Sequence, residues 1–400
     1  MNRSLVVDVR ENTWPGSGKL PDFPSTFHSG VETHQVNIPS TLLLIGYLTT
    51  PTSSTGVSLS EFWAWVRYLA AVTNDNDLRL TQSFADLDAH QKTILSDDFG
   101  MGVPMHWLSQ RLTFSHIVDG RYFMQRVAAS LGASQRRTAK RGPNKTPDFV
   151  ARDTNGIWHV VECKGTQSGR KYGEAQLGDS GPPPSGGIAQ KRSIEFPPGH
   201  SGQRLVCGLC IGMENGEPSR LTVVDPKVEE PFRLGSSQLE LAEDAAARGV
   251  ASRALRLSGF ETTAAATAAP LGAHPGVTRS RAQRAEAERQ EYVNERDQRA
   301  RTELDQAELH SDGSFQIREV NFTLPRPVRI SDREVGRVMI RQSINRDFLA
   351  RLREQPTVPD PNYGNFIEMP LNEMKNTAKS DEHSATFYIG ELFRSELILD

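Results

Sequence analysis

Pro147-Asp148 and, fourteen residues further on, Glu162-Cys163-Lys164 put two carboxylates and one amine within mutual reach if the chain between them doubles back. Carboxylate oxygens are hard donors that hold divalent cations. A cation so held can press on a phosphodiester and stabilise the charge that develops there. The residues in between say whether the chain turns. Asp153-Thr154-Asn155-Gly156 suits a three-residue hairpin loop, with Asp opening a type I turn and Gly taking the left-handed position. Such a loop pairs Asp153 with Ile157, so Asp148 falls opposite Glu162 with Cβ atoms about 5 Å apart. Lys164 then shares the face of Glu162, because side chains alternate along a strand. A two-residue loop slips the register by one and sends Glu162 to the other face. Phe149, Val150 and Ala151, then Ile157, Trp158, Val160 and Val161, make both strands apolar on both faces and place them inside a sheet. Two carboxylates there need a cation, and Lys164 supplies part of the compensation. The competing reading is an ordinary hairpin, since Pro-Asp opens many turns and Glu-x-Lys often marks a solvated edge.

The elements that must position these residues read as three regions. Residues 1–104 look like a separate N-terminal unit. It has a strand-like Leu42–Leu48, a Pro/Ser/Thr/Gly loop at 51–58, and a helix from about Leu59. Asp86, Asp88 and His90, then Asp97-Asp98, read as a helix end and loop. Residues 105–225 read as a helical stretch from Met105 to Leu131, the hairpin, a Gly/Pro-rich loop from Gly165 to Gly187 without regular structure, a helix near Ile188–Ile194, and strands at Leu205–Met213 and Leu221–Val224. Cys207 and Cys210 sit in an apolar run with strand period, which makes them core residues rather than metal ligands. Residues 226–400 read as a helix over Ser236–Gly259, a connector over Glu261–Gly276 and a long charged helix over Thr278–Leu309. Strands at Phe315–Phe322 and Val328–Ile330, a helix near Arg333–Glu354 and a terminal strand region at Thr386–Leu399 follow. The fold class expected from these elements is mixed α/β (α+β), with α+β regions on either side of the segment that carries the motif.

With 400 residues, 37% hydrophobic and 24% charged, the chain reads as soluble and long enough for two or three domains. Met1–Leu20 has no apolar signal core, and Leu42–Leu48 and Phe62–Val72 are too short to span a bilayer, so no membrane is expected. Three cysteines give no disulfide framework, which suits the cytoplasm. Net charge is −3, yet positive charge gathers around the motif. Arg136, Arg137, Lys140, Arg141 and Lys145 precede Asp148, and Arg170, Lys171, Lys191 and Arg192 follow Lys164. Such a patch suits phosphate contacts with steep salt dependence; a solvated loop is its plainer reading.

Pro147-Asp148 followed by Glu162-Cys163-Lys164 resembles the signature of the PD-(D/E)XK nuclease superfamily, whose restriction-endonuclease-like fold is a central mixed sheet flanked by helices, with the motif on its second and third strands. The resemblance covers roughly residues 118–225. It implies hydrolysis of DNA phosphodiesters with Mg2+, for which Mn2+ can substitute. Asp148 and Glu162 would be metal ligands together with the Cys163 backbone carbonyl, while Lys164 would orient or activate water and stabilise charge. Gln190 or Lys191 would be the polar residue that the family often adds from the following helix. The family's frequent acidic residue on the first helix is missing from Arg121–Leu131, where Asp119 is a weak substitute. A restriction or phage-defence setting fits a nuclease of this kind with unfamiliar flanks. Two alternatives are a non-catalytic nucleic-acid-binding module and a nuclease effector silent until a partner or ligand activates it; a protein partner or homodimer is compatible with each.

Overall fold

In the computed structural model, residues 1–16, 19–52, 67–130, 146–178, 187, 194–225, 232–268, 282–307, 310–330, 333–356, 374–378 and 384–400 are described. Runs of β-branched and aromatic residues build seven strands: β1 (Asn2–Val9), β2 (Gly30–Asn37), β3 (Phe114–Asp119), β4 (Phe149–Asp153), β5 (Trp158–Thr166), β6 (Ser201–Cys210) and β7 (Arg220–Val224). They form one mixed sheet in the order β2-β1-β7-β6-β5-β4-β3. β1 runs parallel to β7 and β5 parallel to β6; the other neighbours are antiparallel. β5 is an interior strand, buried at nearly every position, as Trp158, Val160 and Val161 on its two faces suit.

Four helices matter most for the site: α1 (Ile38–Thr49), α2 (Ala89–Leu112), α3 (Gly120–Ser130) and α4 (Arg170–Leu177). The Asp88 side chain caps α2 by accepting from the Gln91 amide at 3.0 Å. Two glycines let α2 lie close on its neighbours. At Gly100 it touches Gly165 of β5, and a methyl group on Gly165 would stand 1.8 Å from the Ser96 carbonyl oxygen. At Gly102 it admits Ile45 of α1. On the other face of the sheet, Leu177 of α4 packs with Val206 and Val224.

α1 is buried from Ile38 to Leu48 and lies between α2 and a second sheet, with the Tyr47 ring 5.3 Å from Phe387. That sheet is antiparallel. Its strands are β8 (His310–Asp312), β9 (Phe315–Ile330), β10 (Arg333–Asn345), β11 (Met374–Ala378), β12 (Ser384–Ile389) and β13 (Phe393–Leu399), in the order β8-β9-β10-β13-β12-β11. Helix α5 (Leu239–Leu257) sends the fully buried Arg253 to the end of α1. There it donates to the carbonyls of Leu48, Thr50 and Ile117, stacks 5.1 Å from Tyr47 and pairs with Asp119. A cation at a helix C-terminus satisfies carbonyls that have no partner within the helix. Helices α6 (Glu261–Ala268), α7 (Ala282–Gln306) and α8 (Arg346–Glu354) follow.

The mixed α+β character and central mixed sheet stand as the sequence suggests, but several segments differ. Residues 1–104 are not a separate unit, since β1 pairs with β7 and the expected boundary at 104 falls inside α2. Leu42–Leu48 is helix, not strand. Its signals are Asn37, whose side chain accepts from the Ser40 amide, and Pro39 in the first turn. The stretch Met105–Leu131 is broken by β3, and the Gly165–Gly187 loop contains α4. Arg333–Asn345 is strand, with helix only from Arg346. The connector after Glu261 begins as helix α6. The helix expected from Leu59 and the one at Ile188–Ile194 fall mostly outside the described residues; Ile194 itself is in a short strand.

The α2–β5 contact gives a direct test. Gly165→Ala should destabilise the protein by about 3 kcal/mol in urea unfolding, because backbone on both sides must separate. Gly173→Ala in α4, where the added methyl meets only ordinary contacts at 3.5 and 3.7 Å, should be neutral or stabilising by about 0.5–1 kcal/mol.

Candidate active site

The turn sets the site. Asp153 N–H donates to the Ile157 carbonyl at 2.9 Å, and Gly156 takes φ +80°. The Asp153 side chain accepts from the amides of Asn155 and Ile157 at 2.9 and 2.8 Å, the Asx arrangement that its short carboxylate favours. The register then runs Arg152 with Trp158, Ala151 with His159, Val150 with Val160 and Phe149 with Val161. One more step places Asp148 opposite Glu162. The two are stitched together: Asp148 N–H donates to Glu162 Oε2 at 3.2 Å, and Cys163 N–H donates to Asp148 Oδ2 at 2.8 Å. Gly120, at the start of α3, fixes Asp148 from behind with its N–H on the Asp148 carbonyl at 2.9 Å.

Lys164 stands on the same face as Glu162, with Nζ 2.5 Å from Oε1. Glu162 has no solvent exposure. Burial pushes its carboxyl up to about 8; the Asp148 charge adds to this and Lys164 works against it. Burial raises the Asp148 carboxyl too, again with Lys164 opposing. Burial disfavours the ammonium of Lys164, but Glu162 and Asp148 outweigh it and hold the group charged above its ordinary range. The Cys163 thiol is pushed well up by burial, so Cys163 is no thiolate nucleophile.

One acidic residue joins the group that no local pattern marks. Asp97 lies within α2, not in a loop, and at the level where Gly100 and Gly165 touch it is brought beside the strand. Its charge is felt at both Lys164 and Asp148; partial burial raises its own carboxyl and Lys164 lowers it. Asp119 takes a different role, bound by Arg253 and by the Thr52 hydroxyl. In the sequence Asp97 shows only as part of an acidic cluster; its place beside the strand follows from the helical glycines at 100 and 102 and from Gly165, and becomes legible only once these partners are known.

Arg136, Arg137, Lys140, Arg141, Lys145, Gln190, Lys191 and Arg192 lie outside the described residues. Gly187, just before Gln190, is buried against this site: a methyl group there would meet Glu162 Cγ at 3.5 Å. Cys207 is buried in β6 and Cys210 is half-buried; both are free thiols. Among the described residues no helix is long and apolar enough to cross a membrane.

Among the described residues no three His, Cys, Asp or Glu side chains converge tightly enough to hold a metal ion. The donors at hand are the Asp148 and Glu162 carboxylates and the Cys163 carbonyl, which leaves the strand on the side of its own N–H, toward Asp148. All are hard oxygen donors of the kind Mg2+ takes, and they are few, as suits an ion that keeps several waters. No family model matches the chain, and no curated protein or solved structure matches it.

The raised Glu162 carboxyl has a measurable sign. Its folded value of about 8 lies above the ordinary 4.5, so the folded state holds the proton more tightly across that window. The stability it contributes is therefore present at low pH and lost as pH rises from about 4.5 to about 8. In EDTA, Glu162→Gln should raise the melting temperature clearly at pH 8 and little at pH 5. An equal rise at both would show that Glu162 is not held protonated by its surroundings.

Proposed function

We propose that this chain is a metal-dependent endonuclease that hydrolyses DNA phosphodiester bonds, with a restriction-endonuclease-like core centred on β4 and β5. One observation carries the reading. Asp148 and Glu162 face each other across a hairpin whose register is dictated by its own turn, with the charged Lys164 on the same face. A fold gains no stability from burying two carboxylates side by side, and perturbed groups of this kind gather at functional sites.

Asp148, Glu162 and the Cys163 carbonyl would hold Mg2+, or Mn2+ in its place. The ion, when bound, polarises the phosphate and lowers the pKa of an attacking water. The rest of the chemistry falls to the chain. Lys164 is kept charged by two carboxylates, so it acts as a cation toward the phosphate rather than as a base. Asp97 adds negative charge at the rim and would help confine a cation beside Asp148. Gly120 and Cys163 hold Asp148 so that its carboxylate cannot swing away. The basic segment 136–145 leads straight into Asp148 and would bind the DNA backbone.

The test is cleavage of supercoiled plasmid with Mg2+, with Mn2+ and with EDTA. Metal-dependent cutting is expected, and Asp148→Asn and Lys164→Ala should each lower it about a hundredfold or more without loss of fold. Asp97→Asn should lower it less, by about tenfold. A folded Asp148→Asn protein with full activity would overturn the assignment. Metal-independent binding of DNA without cutting by any of these proteins would favour the non-catalytic module.

A further inference from the structure

A cleft of about 440 Å3 adjoins the carboxylate site at Asp97, opening between α2, the end of β5 and α4. Lys92, Ser96, Asp97, Gln167, Tyr172 and Gln176 are among the residues that line it. Its size falls within the range of small-molecule sites, roughly 300–1,000 Å3. Two features say what it is built to accept.

The first is a pair of unanswered acceptors. Gln167 Nε2 donates to the Lys92 carbonyl at 3.2 Å and to Ser96 Oγ at 3.0 Å. A backbone carbonyl can only accept, and the Ser96 hydroxyl is already donating to Lys92 at 2.7 Å. The amide is therefore fixed with its nitrogen toward α2. That leaves Gln167 Oε1 as a buried acceptor with no donor among the described residues, and Gln176 Oε1 is in the same condition. Buried acceptors of this kind are completed by the O–H of a water or by the N–H or O–H groups of a guest that displaces it. The second feature is Tyr172, 53% exposed and four residues from Gln176 on α4, so that both lie on one side of the helix. An aromatic ring left in solvent beside two amide acceptors offers a flat apolar surface and a polar edge together.

Inside the cleft a phosphate is the poorer guest, because Asp97 and the two amide carbonyl oxygens outnumber the single cation Lys92. A nucleobase is the right one. Its face stacks on a tyrosine, and its edge brings N–H donors. We propose that this cleft holds one base of a nucleic-acid strand, unstacked from its neighbours, with the adjoining backbone leading out toward Lys164 beside Asp148 and Glu162. The ring lies on Tyr172, and Gln167 and Gln176 accept from its edge. Two acceptors favour bases with an exocyclic amine, which supply two N–H hydrogens; thymine and uracil supply one. The inference rests on the nuclease reading only for the passage of the strand. The pocket itself is argued from its own side chains.

The test keeps the two separate. Short fluorescein-labelled homo-oligomers of dC, dA and dT are titrated with the full chain in EDTA and followed by anisotropy, while plasmid cutting is measured in parallel. Oligo-dC and oligo-dA should bind about tenfold more tightly than oligo-dT. Tyr172→Ala should weaken all three about tenfold, and Tyr172→Phe, which keeps the ring, should not. Gln176→Leu should narrow the gap between dC and dT. Equal affinity for the three oligomers, or no change in Tyr172→Ala, overturns the base pocket; plasmid cutting that persists alongside leaves the nuclease reading standing. Loss of both oligomer binding and cutting in the unmodified protein overturns the two together.

Discussion

A carboxylate without solvent contact constrains everything around it. Glu162 sits in the middle of the most buried strand of the sheet, and an ionised group there must find its compensation within the protein or from a bound cation. Lys164 offers one charge, the Asp148 amide one hydrogen bond, and these are set against the charges of Asp148 and Asp97. The balance stays on the negative side. The surrounding structure reads as the machinery that enforces this imbalance. The Asp153 turn fixes which residue faces Glu162, the Gly100–Gly165 contact brings α2 close, and Arg253 pairs with Asp119, whose charge also reaches Asp148.

How much of this the sequence disclosed follows from how local each determinant is. The hairpin register was legible because four consecutive residues decide it, and the Asp153 and Gly156 geometry is a property of those side chains alone. α1 was obscured because an apolar run of its length has no polar face to reveal a period. It is buried on every side, and only its cap at Asn37 and the proline at 39 spoke for helix. β10 was misread for the opposite reason. Its arginines and glutamate suit an exposed helix, but pairing with both β9 and β13 holds the segment extended. Asp97 was hidden by distance, since its place depends on a glycine contact between residues far apart in the chain.

The regions that flank the motif are not appendages. α1 carries the packing from α2 to the second sheet, and Arg253 ties the end of that helix to the end of β3. A buried guanidinium with four partners is costly to strand, so α5 is bound to the sheet by more than apolar contact. The motif hairpin thus rests on a scaffold drawn from nearly the whole described chain.

The position of β1 has a consequence for how the protein comes into being. β1 and β2 can pair as soon as they are made, but Val6 must wait for Arg220 before the other edge of β1 is covered. On a ribosome that edge stays open while the motif hairpin, a purely local structure, is already complete. Parallel pairing over so long a loop is slow to close, and an open apolar strand edge is an invitation to other chains. The first eight-residue strand, remote in sequence from the chemistry, is where newly made chains would meet chaperones or one another.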